Sequence, residues 1–407
     1  MKKTLRNFVV FAQTYSLPLI AGIIVALIWA NISYDSYRIV VEYPWFGTEH
    51  ISLHFLIKEV FMALFFAIAM VEIVEAVSPG GAMYPIKKAI NPLMATAGGV
   101  LGPILVYMLL VIFMDGMEYA NGWGIVTATD IAIAWLGAKL IFGPNHPAVK
   151  YLLLLAIADD AIGLIIIGIF YPSAPIELTY LLLCVLGMAV AGVLRAMHVQ
   201  HYAFYILLGG IPSWIGLFNA HIEPALALVF IIPFLPSNHR RAKMEKDSVV
   251  PKHPDRMALE SFYWHWKPVV DWGLFFFGLD SAGVMFSSIG KVTFFVVVAL
   301  IAGKSLGIYT MGKLADKIGF SLPSCMTKRE LFVMAIIAGA GLTVALFICD
   351  AAFTDPVTVA AAKMGALFSI FAIPLGMFVS KVMGTRSFKN KKTVQEIREC
   401  EQQSQGM

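Results

Sequence analysis

Between Phe8 and Met383 the sequence keeps returning to one pattern, an apolar run followed by a polar connection. Most runs approach the roughly 20 residues that a helix needs to cross a membrane. They lie near 8–32, 53–77, 89–114, 123–142, 149–171, 176–196, 202–217, 221–236, 267–287, 291–313, 330–353 and 357–383. Of the 407 residues, 59% are hydrophobic and 14% are charged. Soluble domains carry about 25% charged residues, and one soluble core cannot bury this apolar surplus. The pattern therefore predicts an all-α polytopic membrane protein of about twelve spans, with residues 1–384 as the membrane domain. The first run is too long for a signal peptide and no clear cleavage site follows it, so it reads as a retained span.

Basic residues orient the chain. Cytoplasmic connections of a membrane protein carry the excess lysine and arginine. With the N-terminus inside, the even-numbered connections and the C-terminal end hold 25 of the 30 basic residues, while the outer connections hold Arg38 and Lys291. Both termini are therefore expected in the cytoplasm. Residues 236–266 and 385–407 are polar and basic and read as cytoplasmic, the latter as a tail. Residues 37–52 are rich in β-branched and aromatic side chains around Pro44 and Gly47, so they read as an external β-hairpin or an irregular loop. The four cysteines form no CxxC and no Cys/His spacing, so no resident metal or cofactor is expected.

A charge inside hydrocarbon costs about 2.5–3.5 kcal/mol even on the mildest scale, so intramembrane ionisable residues are candidates for function. They are Glu59, Glu72 and Glu75 in the second run, Asp130 in the fourth, Asp159 and Asp160 in the fifth, and Glu223 near the eighth. Asp271 and Asp280 in the ninth, Lys304 in the tenth and Asp350 in the eleventh join them. Helical rise places Asp130 roughly 18 Å, Asp159 and Asp160 roughly 15–17 Å, and Lys304 roughly 20 Å from the ends of their runs. In a core about 30 Å thick that is a common level near the middle. Three acids against one base exceed an inert ion pair. Adjacent helical residues diverge by about 100°, so one of Asp159 and Asp160 meets Lys304 while the other faces a cavity. Asp280 and Asp350 sit near run ends, where a solvated position is cheap. Glu72 and Glu75 suit a pH-responsive role and a snorkelling one equally.

The fourth and eleventh runs place small residues and threonines at mid-membrane, in Gly122–Asp130 and Ala338–Val344. Such segments either break, exposing carbonyls to an ion, or pack closely as unbroken helices. If they break, Asp130 balances positive helix ends and Lys304 negative ones.

Four strings carry a family resemblance. Thr127-Ala-Thr-Asp-Ile-Ala-Ile-Ala134 and Leu155-Ala-Ile-Ala-Asp-Asp-Ala-Ile-Gly163 resemble the signature segments of NhaA-type sodium/proton antiporters. Gly303-Lys304-Ser305-Leu-Gly-Ile308 is similar to that family's GKPLGI, with Ser305 in place of proline, and Gly339–Ile348 to its GIGFT segment. The resemblance covers nearly the whole chain. It implies twelve helices, an inverted repeat with broken, crossing fourth and eleventh helices, and a homodimer in the lipid of a bacterial inner membrane, joined partly by an external hairpin. It implies that Asp159 and Asp160 carry sodium and protons, with Asp160 the main sodium ligand, Thr129 and Asp130 beside the site and Lys304 the partner of Asp159. Glu59 would line the approach, and Glu72 and His221 would serve the pH response. His221-Ile-Glu-Pro-Ala-Leu-Ala departs from the family's HATLAG, Val74 and Glu75 replace its basic cluster, and Glu260 and His265 are shifted.

Protons and sodium competing for the same oxygens would produce exchange, and two acids allow two protons per sodium, an electrogenic cycle that expels sodium and by the same chemistry lithium. The alternative on the same fold is a proton-coupled transporter of another cation or a small solute, although Ala156, Ile157, Ala161 and Ile162 offer a solute few hydrogen bonds. An intramembrane aspartyl protease would need a GxGD-like partner motif, which no aspartate here has. Composition also allows a channel, for which a buried lysine beside the acids makes a poor cation path. The chain reads as a transporter and not as an enzyme.

Overall fold

The computed structural model describes residues 12–13, 16–44, 52–84, 86–144, 146–237, 257–323 and 326–385. Every regular element among them is helical, as lipid requires of open-ended segments whose backbone must satisfy itself. Among the described residues seven helices are long and apolar enough to cross a membrane, and one bent pair makes an eighth. The chain is thus a multi-pass membrane protein. It divides into two compact units.

Unit one comprises residues up to Tyr84 and Leu164–Gly283. Its helices are α1 (Leu17–Ile32), α2 (Tyr34–Glu42), α3 (Leu53–Val77), α8 (Leu178–Ala196), α9 (Tyr202–Asn219), α10 (Pro224–Phe234) and α11 (Ala258–Ser281). Unit two comprises Pro85–Gly163 and the residues from Val284 onward. Its helices are α4 (Ile86–Phe113), α5 (Met117–Thr127, a 3₁₀ helix), α6 (Ile131–Phe142), α7 (Pro147–Phe170, whose end passes into unit one), α12 (Lys291–Lys317), α13 (Lys328–Ile337), α14 (Thr343–Ala352) and α15 (Pro356–Met383).

Two expectations from the sequence are corrected in unit one. The hairpin expected over 37–52 is helical in its first arm, which belongs to α2. Buried Tyr37 and Val41 recur at a spacing of four, and Arg38 pairs with Glu42 at 2.8 Å, both helical separations. The Tyr37 hydroxyl donates toward the carbonyls of Leu279 and Asp280 at 2.8 and 2.7 Å. The second arm, 45–51, lies outside the described residues. Helix α11 begins at Ala258, within the segment read as polar connection, because Ala258, Leu259 and Phe262 pack with Ala67, Val71 and Ile231 of α3 and α10. Residues 238–256 and the tail from 386 onward lie outside the described residues.

Unit two is built on a seam of glycines between α4 and α12. A Cβ on Gly98 would lie 2.1 Å from the Gly307 carbonyl oxygen, and one on Gly307 would lie 1.9 Å from that of Gly98. Gly102 would meet the Gly303 oxygen at 2.5 Å. Small residues let two backbones touch in lipid, where dispersion and not hydrophobicity joins helices. The seam seats Lys304, the residue after Gly303, inside the unit. Gly307→Ala is expected to lower stability by about 1–3 kcal/mol, the usual cost of overpacking. Gly163→Ala, whose Cβ would meet nothing nearer than Val344 at 3.9 Å, is expected to be neutral or stabilising. Thermal unfolding in detergent compares the two.

Candidate functional site

Two helix breaks in unit two lie against each other. Helix α5 stops at Thr127 and α6 starts at Ile131, bent by 61°. Helix α13 stops at Ile337 and α14 starts at Thr343. A Cβ on Gly341 would lie 2.7 Å from the Ala128 carbonyl oxygen, so the two interruptions touch by backbone. The Asp130 amide donates to the Ala340 carbonyl at 2.8 Å, and the Thr129 hydroxyl to the Ala338 carbonyl at 3.0 Å.

Asp130, 3% exposed, serves both breaks. Its Oδ1 accepts the Ile133 amide at 3.0 Å as the N-cap of α6. Its Oδ2 accepts the amide and hydroxyl of Thr343 at 3.2 and 3.1 Å, at the first residue of α14. One carboxylate thus neutralises two positive helix ends and fills donors that a helix start leaves open.

Lys304 does the converse. It is fully buried, and its Nζ donates to the Thr127 carbonyl at 2.5 Å, at the negative end of α5, and to Asp159 Oδ2 at 2.7 Å. Thr129 lies beside Asp159 as well. Asp159, 1% exposed, keeps Oδ1 outside any hydrogen bond among the described residues. Asp160 follows it on α7 at 8% exposure, and its charge reaches Lys304. Asp130, Thr129, Asp159, Asp160 and Lys304 therefore form one buried constellation of oxygens and a single ammonium.

Of the other residues singled out in the sequence, Asp350 belongs to unit two and the rest to unit one. Glu59 sits on a π-helical turn, Leu56–Phe61, and its carbonyl accepts Trp214 Nε1 at 3.4 Å. Glu72, near the end of α3, acts electrostatically on Lys267 and Tyr263, and Lys267 is hydrogen-bonded to Asp271. His221 has a left-handed backbone between α9 and α10, with Nε2 4.0 Å from Glu177 Oε1. Glu223 caps α10 through the Ala225 amide at 3.4 Å.

Three pairings were not read from the sequence. Asp280, taken as solvated, is buried and lies 3.0 Å from His54. Asp350 pairs with Lys363 at 2.8 Å. His146 and Glu330, both fully buried, face each other at 3.7 Å. Lys363 and Glu330 were detectable, since both stand within apolar runs. Thr343 was visible in its glycine-rich string, but nothing in the string pointed to Asp130.

Apolar helices in this number, with ionisable groups gathered at two helix breaks, define a membrane transport protein. The Na+/H+ antiporter 1 family model matches residues 6–380, and the chain belongs to that family. Over 376 residues it is 53% identical to "Na(+)/H(+) antiporter NhaA 2" of Pelobacter propionicus, covering 92% of this chain and 97% of that one. It is 52% identical over 378 residues to "Na(+)/H(+) antiporter NhaA" of Geotalea uraniireducens, with 92% and 96% covered. The protein of that name from Desulfitobacterium hafniense is 50% identical over 392 residues, with 96% and 98% covered.

Removing one partner of a buried ion pair strands the other charge, whereas replacing both by apolar groups is often harmless. Lys304→Met is expected to cost about 3–5 kcal/mol. Lys304→Met with Asp159→Leu is expected to recover much of that loss, as read by thermal unfolding of the purified variants.

Proposed function

We propose that the protein exchanges sodium for protons across a bacterial inner membrane, and that the two cargos compete for the carboxylates of Asp159 and Asp160. The observation that carries this reading is the buried Asp159, held by Lys304 through one oxygen while its second oxygen stays uncommitted. Sodium is a hard cation and takes oxygen donors. Asp160 is its main ligand, with Asp159 and Thr129 contributing oxygens. When sodium binds, its charge replaces that of the Lys304 ammonium next to Asp159, and protons leave. When protons return, the two carboxylates become neutral and their hold on sodium is lost; Lys304 pairs with Asp159 again once that carboxyl has given up its proton. Two acids give up two protons for one sodium, so the cycle moves net charge. Lithium fits the same donors. Asp130 is not a carrier in this scheme; it keeps the touching helix starts neutral while the cargo changes.

The reading includes twelve spans with both termini in the cytoplasm and a homodimer in lipid. The inverted repeat is supported by the order of elements in unit two. There α4, α5 with α6, and α7 run as long helix, interrupted helix and long helix, and α12, α13 with α14, and α15 repeat that order. Glu59, Glu72 and His221 serve access and pH response. For Glu72 the support is its electrostatic action on Lys267 and Tyr263.

The test is reconstitution in liposomes carrying an imposed pH gradient and an internal pH dye. Sodium, but not choline, is expected to dissipate the gradient, with a rate that changes when the membrane voltage is clamped. Asp160→Asn is expected to abolish the response. Folded wild type that ignores sodium over a wide pH range would overturn the reading, and the same vesicles would then be screened with potassium and small solutes.

A further inference from the structure

Helices α7 and α12, which carry Asp159 and Lys304, are tied a second time away from the ion pair. The tie is Asn91 of α4, 2% exposed. Its Oδ1 accepts the Tyr151 hydroxyl of α7 at 2.7 Å. Its Nδ2 donates to the Gly312 carbonyl of α12 at 3.3 Å and to the Phe320 carbonyl, just past the end of α12, at 2.6 Å. Tyr151 is 1% exposed, and a Cβ on Gly312 would lie 3.4 Å from its hydroxyl oxygen. Tyr151 precedes Asp159 by eight residues and Gly312 follows Lys304 by eight, so on each helix the tie stands roughly 12 Å from the ion pair.

The two ties differ in what happens to them during exchange. Cargo must displace Lys304 from Asp159. The Asn91 tie is made of neutral groups with no affinity for a cation that carboxylates already hold, so it persists. When the ion pair opens, α7 would be free to slide along α12, and the surviving tie between Tyr151, Asn91 and the Gly312 carbonyl removes that freedom. We propose that Asn91 and Tyr151 are positioning residues for the exchange. They hold α7 in register on α12 while Lys304 is displaced, so that the ammonium finds Asp159 again when the cargo leaves. This rests on the antiport reading above. The carboxylates set which ions are taken, and the tie sets how closely Lys304 competes with sodium.

The experiment is sodium-dependent antiport in proteoliposomes, measured as apparent KM, maximal rate per folded transporter and pH profile. The variants are Tyr151→Phe, Asn91→Leu and the double variant. Tyr205→Phe is the matched control; it removes another buried tyrosine hydroxyl, one that donates to the Val199 carbonyl at 3.1 Å in unit one. Tyr151→Phe and Asn91→Leu are each expected to change the apparent sodium KM about fivefold, the equivalent of one lost hydrogen bond, and to displace the pH profile. The double variant is expected to match the single ones, since both break one tie. Tyr205→Phe is expected to keep the wild-type KM and pH profile. Should Asn91→Leu fail to fold, Tyr151→Phe decides alone. Wild type that responds to sodium, with Tyr151→Phe keeping KM and pH profile unchanged, would overturn this inference and leave antiport standing. Wild type that does not respond overturns the antiport reading and this inference with it.

Discussion

A helix that stops inside a membrane leaves unpaired amides at one end and unpaired carbonyls at the other, with no water to satisfy them. Unit two contains two such stops in backbone contact, and the carboxylate of Asp130 receives amides from both α6 and α14. Lys304 receives the opposite debt at Thr127. The rest of the site follows from these two neutralisations. Because Lys304 is needed at the carbonyl end of α5, it is buried. Because it is buried, it requires Asp159. Asp160, the next residue on α7, is then brought to the same depth with a charge of its own.

That these charges gather at one site was legible in the sequence. Membrane thickness fixes the length of a span, so the runs could be marked, and helical rise then put Asp130, Asp159, Asp160 and Lys304 at one level. The small residues around Asp130 and at Ala338–Val344 left open whether the helices break, because close packing asks for the same side chains as a break does. What separates the two outcomes is the hydrogen bonding of Thr129, Asp130 and Thr343 across the contact, and a linear pattern does not carry that.

Other features were hidden for similar reasons. Ile39, Val40 and Val41 read as a strand because β-branched residues favour sheets, yet Tyr37 and Val41 form one buried helical face, and the Tyr37 hydroxyl reaches carbonyls of α11. The start of α11 was obscured by tyrosine, tryptophan and histidine, which belong as readily to a polar connection as to a helix. The His54–Asp280 pair spans 226 residues, and sequence gives residue types without the distances between them. Charged residues near run ends were taken as solvated, although Asp280 has a partner that makes burial affordable.

The separation between Asp159 and Lys304 has a consequence for how the molecule is made. The pair is 145 residues apart in the chain, and both residues sit in unit two, whose two sequence segments are divided by Leu164–Gly283 of unit one. A ribosome therefore delivers α7 to the bilayer well before it has built the lysine that neutralises it, and α6 before the threonine of α14 that shares its cap. Most of unit one is synthesised in the interval. The first half of unit two must wait in the membrane as an open assembly; the arrival of α12 along the glycine face of α4 supplies Lys304, and α14 then completes the shared cap.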